Sequence, residues 1–138
     1  KYKICDKSLT SGAQEHGLML NGSQRYGKKS EQLAAGYLKK QGYNIICRNF
    51  RAPCGEIDII ARDGPALVFV EVKARRNHRY GGAKASITRA KMSKITQTAL
   101  YYLKQTRQTD QKVRFDVVFI ENEVADLYKN AFDAVLPS

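Results

Sequence analysis

The stretch of this chain that permits the fewest folds runs from Gly55 to Arg75, GEIDIIARDGPALVFVEVKAR. Its apolar runs, Ile57–Ala61 and Ala66–Val72, are rich in Val, Ile and Phe and flank Arg62-Asp63-Gly64-Pro65. That pattern predicts a β-hairpin closed by an Asp-Gly turn. A turn centred on Asp63-Gly64 pairs Ala61 with Ala66, which sets Asp58 opposite Phe69 and Glu71 opposite Glu56. Side chains alternate along a strand, and directly paired residues share a face. Asp58, Glu56, Glu71 and Lys73 then project from one side of the sheet, and Ile57, Ile59, Val68, Val70 and Val72 from the other.

Carboxylates crowded onto a half-buried surface repel one another unless something positive lies between them. One reading is a salt bridge from Lys73 to a single carboxylate on a solvated face, since charge clusters are often structural. It leaves the second carboxylate unexplained. The other reading is a divalent cation held by Asp58 and Glu71, hard oxygen ligands suited to Mg²⁺, with Lys73 beside it.

The 138 residues suffice for one domain with its own core. Hydrophobic residues at 43% and charged residues at 27% match a globular protein, and no apolar run reaches membrane-spanning length. Leu18-Met19-Leu20 is too short for the core of a signal sequence. Cys5, Cys47 and Cys54 form no C-x-x-C pair, so reduced thiols and a cytoplasmic location are expected. Twenty-four Lys and Arg against 13 Asp and Glu leave a net charge of +11. From Val72 to Thr109 the chain carries no acid, but it includes Lys73, Arg75, Arg76, Arg79, Lys84, Arg89, Lys91 and Lys94. Such an excess favours a polyanion partner, nucleic acid above all. A merely solvated basic face is the plain alternative. An anionic membrane fits less well, because the helix predicted here lacks a bulky apolar face with aromatic anchors.

Residues 1–24 show no periodicity and read as a flexible arm, leaving residues 25–138 as the folded domain. A helix is predicted from Tyr26 to Gln41, stopped by Gly42 after Lys39 and Lys40. Its apolar stripe is Ala34, Ala35 and Leu38, and Glu31 falls on that stripe, either snorkelling out at its edge or held there for a purpose. Tyr43–Phe50 reads as a strand before the hairpin. Asn77–Ala83, with Gly81-Gly82, reads as a basic loop. A helix follows over Ile87–Gln105, with Met92, Ile95, Ala99, Tyr102 and Leu103 on its core face and Lys91 at the margin. Val113–Ile120 is an interior strand reached by a right-handed crossover. Val124–Val135 holds a short final element and a helical turn. The order α-β-β-β-α-β predicts an α/β fold, a mixed sheet between flanking helices. Asp116 reads as structural, paired with a neighbouring base, and Glu56 as part of a turn.

An acid on a first helix (Glu31), then Asp58, then Glu71-Val72-Lys73 resembles the PD-(D/E)XK nuclease superfamily. More narrowly, RNFR at Arg48–Arg51, GEIDIIARDGPALVFVEVKAR and RFDVVFI at Arg114–Ile120 resemble the YraN family of bacterial proteins, related in pattern to archaeal Holliday-junction resolvases. The likeness runs from Tyr26 to Phe132. It implies a restriction-endonuclease-like core and an Mg²⁺- or Mn²⁺-dependent endonuclease site built from Glu31, Asp58, Glu71 and Lys73. Ile57 stands where the superfamily's name has proline. On this resemblance Asp58, Glu71 and Glu31 hold metal. Lys73 orients or deprotonates water, and Arg75, Arg76, Arg79, Lys84 and Lys91 grip DNA, branched DNA included. A homodimer would supply two sites for two strands. The alternative is a non-catalytic nucleic-acid-binding module that retains the fold.

Overall fold

A computed structural model describes residues 22–75 and 87–136. The described chain forms α1 (Gly22–Lys40), β1 (Asn44–Ala52), β2 (Gly55–Asp63), β3 (Ala66–Arg75), α2 (Arg89–Gln105), β4 (Lys112–Glu121) and β5 (Val124–Tyr128). The strands make one mixed sheet in the order β1-β2-β3-β4-β5, antiparallel except for the parallel β3–β4 pair. The α/β class and the mixed sheet between helices are as the sequence predicts.

Helix α1 ends because Gly42, at φ 92, takes the left-handed conformation that a non-glycine residue adopts at a cost. The Tyr43 N–H donates to the Leu38 carbonyl and the Gly42 N–H to the Lys39 carbonyl, both at 3.0 Å. This is the Schellman closure, sealed by the buried Leu38 and Tyr43 side chains. Helix α2 begins at an N-cap, where the Lys91 N–H donates to Thr88 Oγ1 at 3.1 Å. Ile87, just before the cap, is buried, and Met92 packs half-buried against the same core, the positions of a hydrophobic staple.

The two faces of the sheet carry separate cores. Ala34, Ala35 and Leu38 of α1 cover Ile59, Ala61, Val68, Val70 and Val118. Ile95, Ala99, Tyr102 and Leu103 of α2 cover Phe50, Ile57, Ile60, Phe69, Phe115 and Phe119. The expected apolar stripes of both helices are thus the buried ones.

Several boundaries and one register differ from expectation. Asp63 pairs with Ala66 and Ala61 with Val68, so the hairpin turns at Gly64-Pro65 rather than at Asp63-Gly64. Phe69 therefore lies opposite Ile60, not Asp58. Ile57 belongs to the α2-side core while Ile59 belongs to the α1 side, so the expected grouping of Ile57 with Ile59 fails. Strict alternation breaks at Asp58, across from Asn49, which adopts φ 54. Helix α1 starts at Gly22 and takes in residues 22–24 of the expected arm. Residues 1–21 and the loop expected at Asn77–Ala83 lie outside the described residues. After β4 the chain forms a hairpin, Asn122 and Glu123 both at positive φ, and then strand β5. No helical turn follows it among the described residues. Cys54 is a free thiol, but Cys47, expected to be reduced, is disulfide-bonded.

Asp116 is structural, as the sequence suggests. Its carboxylate is fully buried and accepts from Arg114 Nε and Nη2 at 2.9 Å, the Tyr43 hydroxyl at 2.6 Å and the Asn130 N–H at 2.9 Å. Four donors answer one buried charge, and they pin α1, β4 and the chain after β5 together.

Candidate functional site

At the other end of β3, β2 and β3 deliver two carboxyl groups to one place. Asp58 turns back on the backbone and its Oδ2 accepts the Val72 N–H at 2.8 Å. The β2–β3 ladder runs from Asp63↔Ala66 to Ile59↔Val70, so this contact begins where the ladder ends. It brings Asp58 against Glu71, and the two carboxyl groups hydrogen bond to each other. Glu71 is 7% exposed and Asp58 half-buried. Burial pushes Glu71 up from 4.5 to about 8, and the neighbouring Asp58 charge adds to the rise. Burial likewise raises Asp58, held back by its hydrogen bonds with Glu71 and the Val72 N–H. Both groups are raised, and the pair holds one proton between them, because two bare carboxylates in contact in a dry setting cannot both ionise.

Three further groups face the pair from separate elements. Lys91 reaches in from α2, its Nζ 3.6 Å from Glu71 Oε2. Lys73, half-buried on β3, lowers the Glu71 pKa by its charge. Glu31 of α1 is pushed up to about 7 by burial and then by the Asp58 charge, against the pull of Arg48 and a hydrogen bond with Asn49. The left-handed backbone of Asn49 puts that amide within reach of α1.

Asp58 and Glu71 therefore meet, with Lys73 acting on Glu71 and Asp58 on Glu31 by charge. Lys91, expected among the phosphate-gripping residues, instead pairs with Glu71. The salt bridge foreseen for Lys73 is the one Lys91 makes. Arg76, Arg79 and Lys84 lie outside the described residues, as does the Arg75 side chain. Glu56 is exposed and pairs with Arg51 at 3.8 Å across β1–β2, the turn role expected of it. Sequence reasoning missed Asn49 and Arg48, which touch the site through Glu31. Asn is enriched at positive φ, which was the available signal.

Among the described residues, no group of three or more His, Cys, Asp or Glu side chains is gathered to hold a metal. The donor set is two carboxyl groups with Glu31 further out. That excludes a full protein cage and suits an ion that keeps most of its water, the habit of Mg²⁺. Beside the pair, Lys91 and Lys94 of α2 face the β1–β2 turn across a groove of about 440 Å³ lined also by Arg51, Cys54 and Glu56. No helix among the described residues is long and apolar enough to cross a membrane.

A mixed five-stranded sheet between two helices, with acidic groups meeting at its strand ends, defines an α/β protein with a restriction-endonuclease-like core. Residues 30–120 match the model described as Uncharacterised protein family UPF0102. The chain belongs to that family, the YraN family. It is 54% identical over 120 residues to a UPF0102 protein of Desulfosudis oleivorans, covering 86% of this chain and 98% of that one. A UPF0102 protein of Syntrophus aciditrophicus is 44% identical over 79% of this chain and 89% of its own. Another, of Lachnoclostridium phytofermentans, is 50% identical over 78% and 92%.

Proposed function

We propose that this protein is a metal-dependent endonuclease hydrolysing phosphodiester bonds in DNA, branched DNA such as Holliday junctions included. The observation that carries the reading is the buried, proton-sharing Asp58–Glu71 pair with Lys73 and Lys91 turned toward it. Mg²⁺ or Mn²⁺ bound there would neutralise a non-bridging phosphate oxygen and acidify a water. Asp58 and Glu71 are the residues that would hold it, with the Val72 carbonyl as a backbone donor and Glu31 reaching it through water. Lys73 orients the attacking water, takes its proton or stabilises the developing charge. Were Glu71 to hold a cation, Lys91 would lose its partner and could grip phosphate. Arg75, Arg76, Arg79 and Lys84 add attraction for the DNA backbone, which is independent of sequence. Two copies would place two sites on the two strands of a junction, so a homodimer belongs to the proposal, as does a cytoplasmic setting.

The Lys91–Glu71 ion pair also favours a second reading. It neutralises the carboxylates without any metal, as expected of a non-catalytic nucleic-acid-binding module. Incubating linear and four-way-junction DNA with the protein in Mg²⁺, Mn²⁺ or EDTA separates the two. Cleavage that EDTA abolishes supports the nuclease. Binding without cleavage in either metal leaves the module.

A further inference from the structure

On the side of the sheet that carries Glu71 and Lys73 there is a second concavity, of about 290 Å³. Its walls are largely apolar: Val117 and Phe119 of β4, Tyr128 of β5, Phe132, and Ile87 and Met92 at the start of α2. Phe119 meets Tyr128 edge to face at 5.4 Å, and Phe132 stacks on Phe115 at 5.0 Å. The position follows from the strand register. In the parallel β3–β4 ladder Val117 is the partner of Glu71 and Phe119 the partner of Lys73. Paired residues share a face and neighbouring strands run about 4.8 Å apart. The floor of the cavity is therefore the next strand over from two of the groups assigned to catalysis. Lys91, which pairs with Glu71, directly precedes Met92 in the cavity wall.

From this placement we infer that the cavity receives one unpaired nucleobase adjacent to the phosphate held at Asp58 and Glu71. The substrate class is then nucleic acid with a base out of the stack: a bulge, a gap, a flap or a branch point. Three properties select this occupant. The volume sits at the small end of ligand pockets, the scale of a single planar ring system. The walls offer aromatic faces and edges, which bind any base by stacking without a fixed hydrogen-bond code. The polar groups nearby are committed elsewhere: Lys129 Nζ is drawn to Asp63 at 3.3 Å, and the Asn130 N–H donates to Asp116. Positive charge one strand away, from Lys73 opposite Phe119 and Lys91 at Glu71, complements the phosphates on either side of the extruded base. A base already unpaired enters at least cost, which is how such a pocket discriminates.

The inference rests on the nucleic-acid reading above, and the test distinguishes the two. Full-length protein in EDTA at fixed low salt is titrated with three probes: a perfect duplex, the same duplex with one bulged thymine, and the same duplex with an abasic residue at the bulge. The thymine bulge should bind about tenfold tighter than the abasic one, the scale of one stacked base. Ala131→Phe fills the cavity from an exposed position, and its N–H keeps the 2.8 Å bond to the Phe115 carbonyl. It should bring thymine-bulge affinity down to the abasic level and leave abasic and duplex binding as they were. Should that variant fail to fold, Tyr128→Leu removes an aromatic wall on the outermost strand and should cost the same preference. Equal affinity for thymine and abasic bulges, or a folded filling variant that keeps the preference, overturns the pocket and leaves the nuclease standing. Failure to bind any of the three overturns both.

Discussion

Replacing Glu71 with glutamine tests the site without any substrate. Glu71 sits at about 8 against an ordinary 4.5, so the folded state binds the proton more tightly than the unfolded state does. Across the interval between those values the native protein holds more protons, and stability falls as pH rises. A tenfold difference in proton affinity is worth about 1.4 kcal/mol. Integrated from about pH 5 to pH 8, the Glu71 carboxyl alone removes on the order of 3 kcal/mol of stability. Glu31 on α1 and Asp58 on β2 are raised as well and act in the same direction. Lys73 on β3 and Lys91 on α2 oppose the rise at Glu71 and are already included in its value. Asp63, lowered first by its Arg114 hydrogen bond, contributes only below the ordinary aspartate range, outside this window. Glu71→Gln keeps the shape and cannot ionise, so it should remove the Glu71 share of the slope and leave the part that Glu31 and Asp58 contribute. The measurement is urea unfolding in EDTA at half-unit steps of pH, on both proteins. Magnesium added at the alkaline end should restore wild-type stability and leave Glu71→Gln nearly unmoved. A wild-type profile that is flat or rises over this range, or a variant with an undiminished slope, would refute the proton-sharing pair.

Asp58→Asn should lose both metal affinity, followed by calorimetric titration, and cleavage. Lys73→Ala should keep the metal, since a competing cation is gone, and lose turnover. Nucleic-acid binding should weaken steeply with salt, and replacing Arg75, Arg76 and Arg79 together should lower the log–log slope by roughly 0.9 for each phosphate no longer neutralised. Arg114→Met strips a buried carboxylate of its two guanidinium bonds and should destabilise the fold by about 3–5 kcal/mol in urea, leaving metal affinity unchanged in whatever remains folded.

The sequence is most legible where one side chain's role follows from strand or helix period. Ala34, Ala35 and Leu38, or Ile95, Ala99 and Tyr102, are core because their spacing leaves them no other face. The convergence of Asp58 and Glu71 survives a wrong turn, because moving the turn from Asp63-Gly64 to Gly64-Pro65 shifts the register by two residues and preserves its parity. The same rule misplaces Ile57, since the period fails where Asp58 bends back to the Val72 N–H. Lys91 at Glu71 is beyond local reasoning, because it depends on how α2 lies across the sheet. Strand β5 is foreseen only as a short final element, because its hairpin places Glu123 at φ 64, where turn chemistry leads one to expect Gly or Asn. The Lys29–Glu123 ion pair, which ties that turn to α1, has no signature in sequence.

Strands β1, β2 and β3 follow one another through short turns, whereas β4 reaches β3 only after the chain beyond Arg75 has crossed over with α2. Closing that long crossover is the slow event in assembling such a sheet. In a refolding chain the meander therefore brings Asp58 and Glu71 together while Lys91, carried on the crossover helix, is still elsewhere. The repulsion is then at its most exposed, with Lys73 of β3 the one of the two lysines already in place. Acid relieves it at that stage, so lowering the pH should quicken refolding more than it slows unfolding. The order in which the chain is strung makes the carboxylate pair a brake on the folding rate.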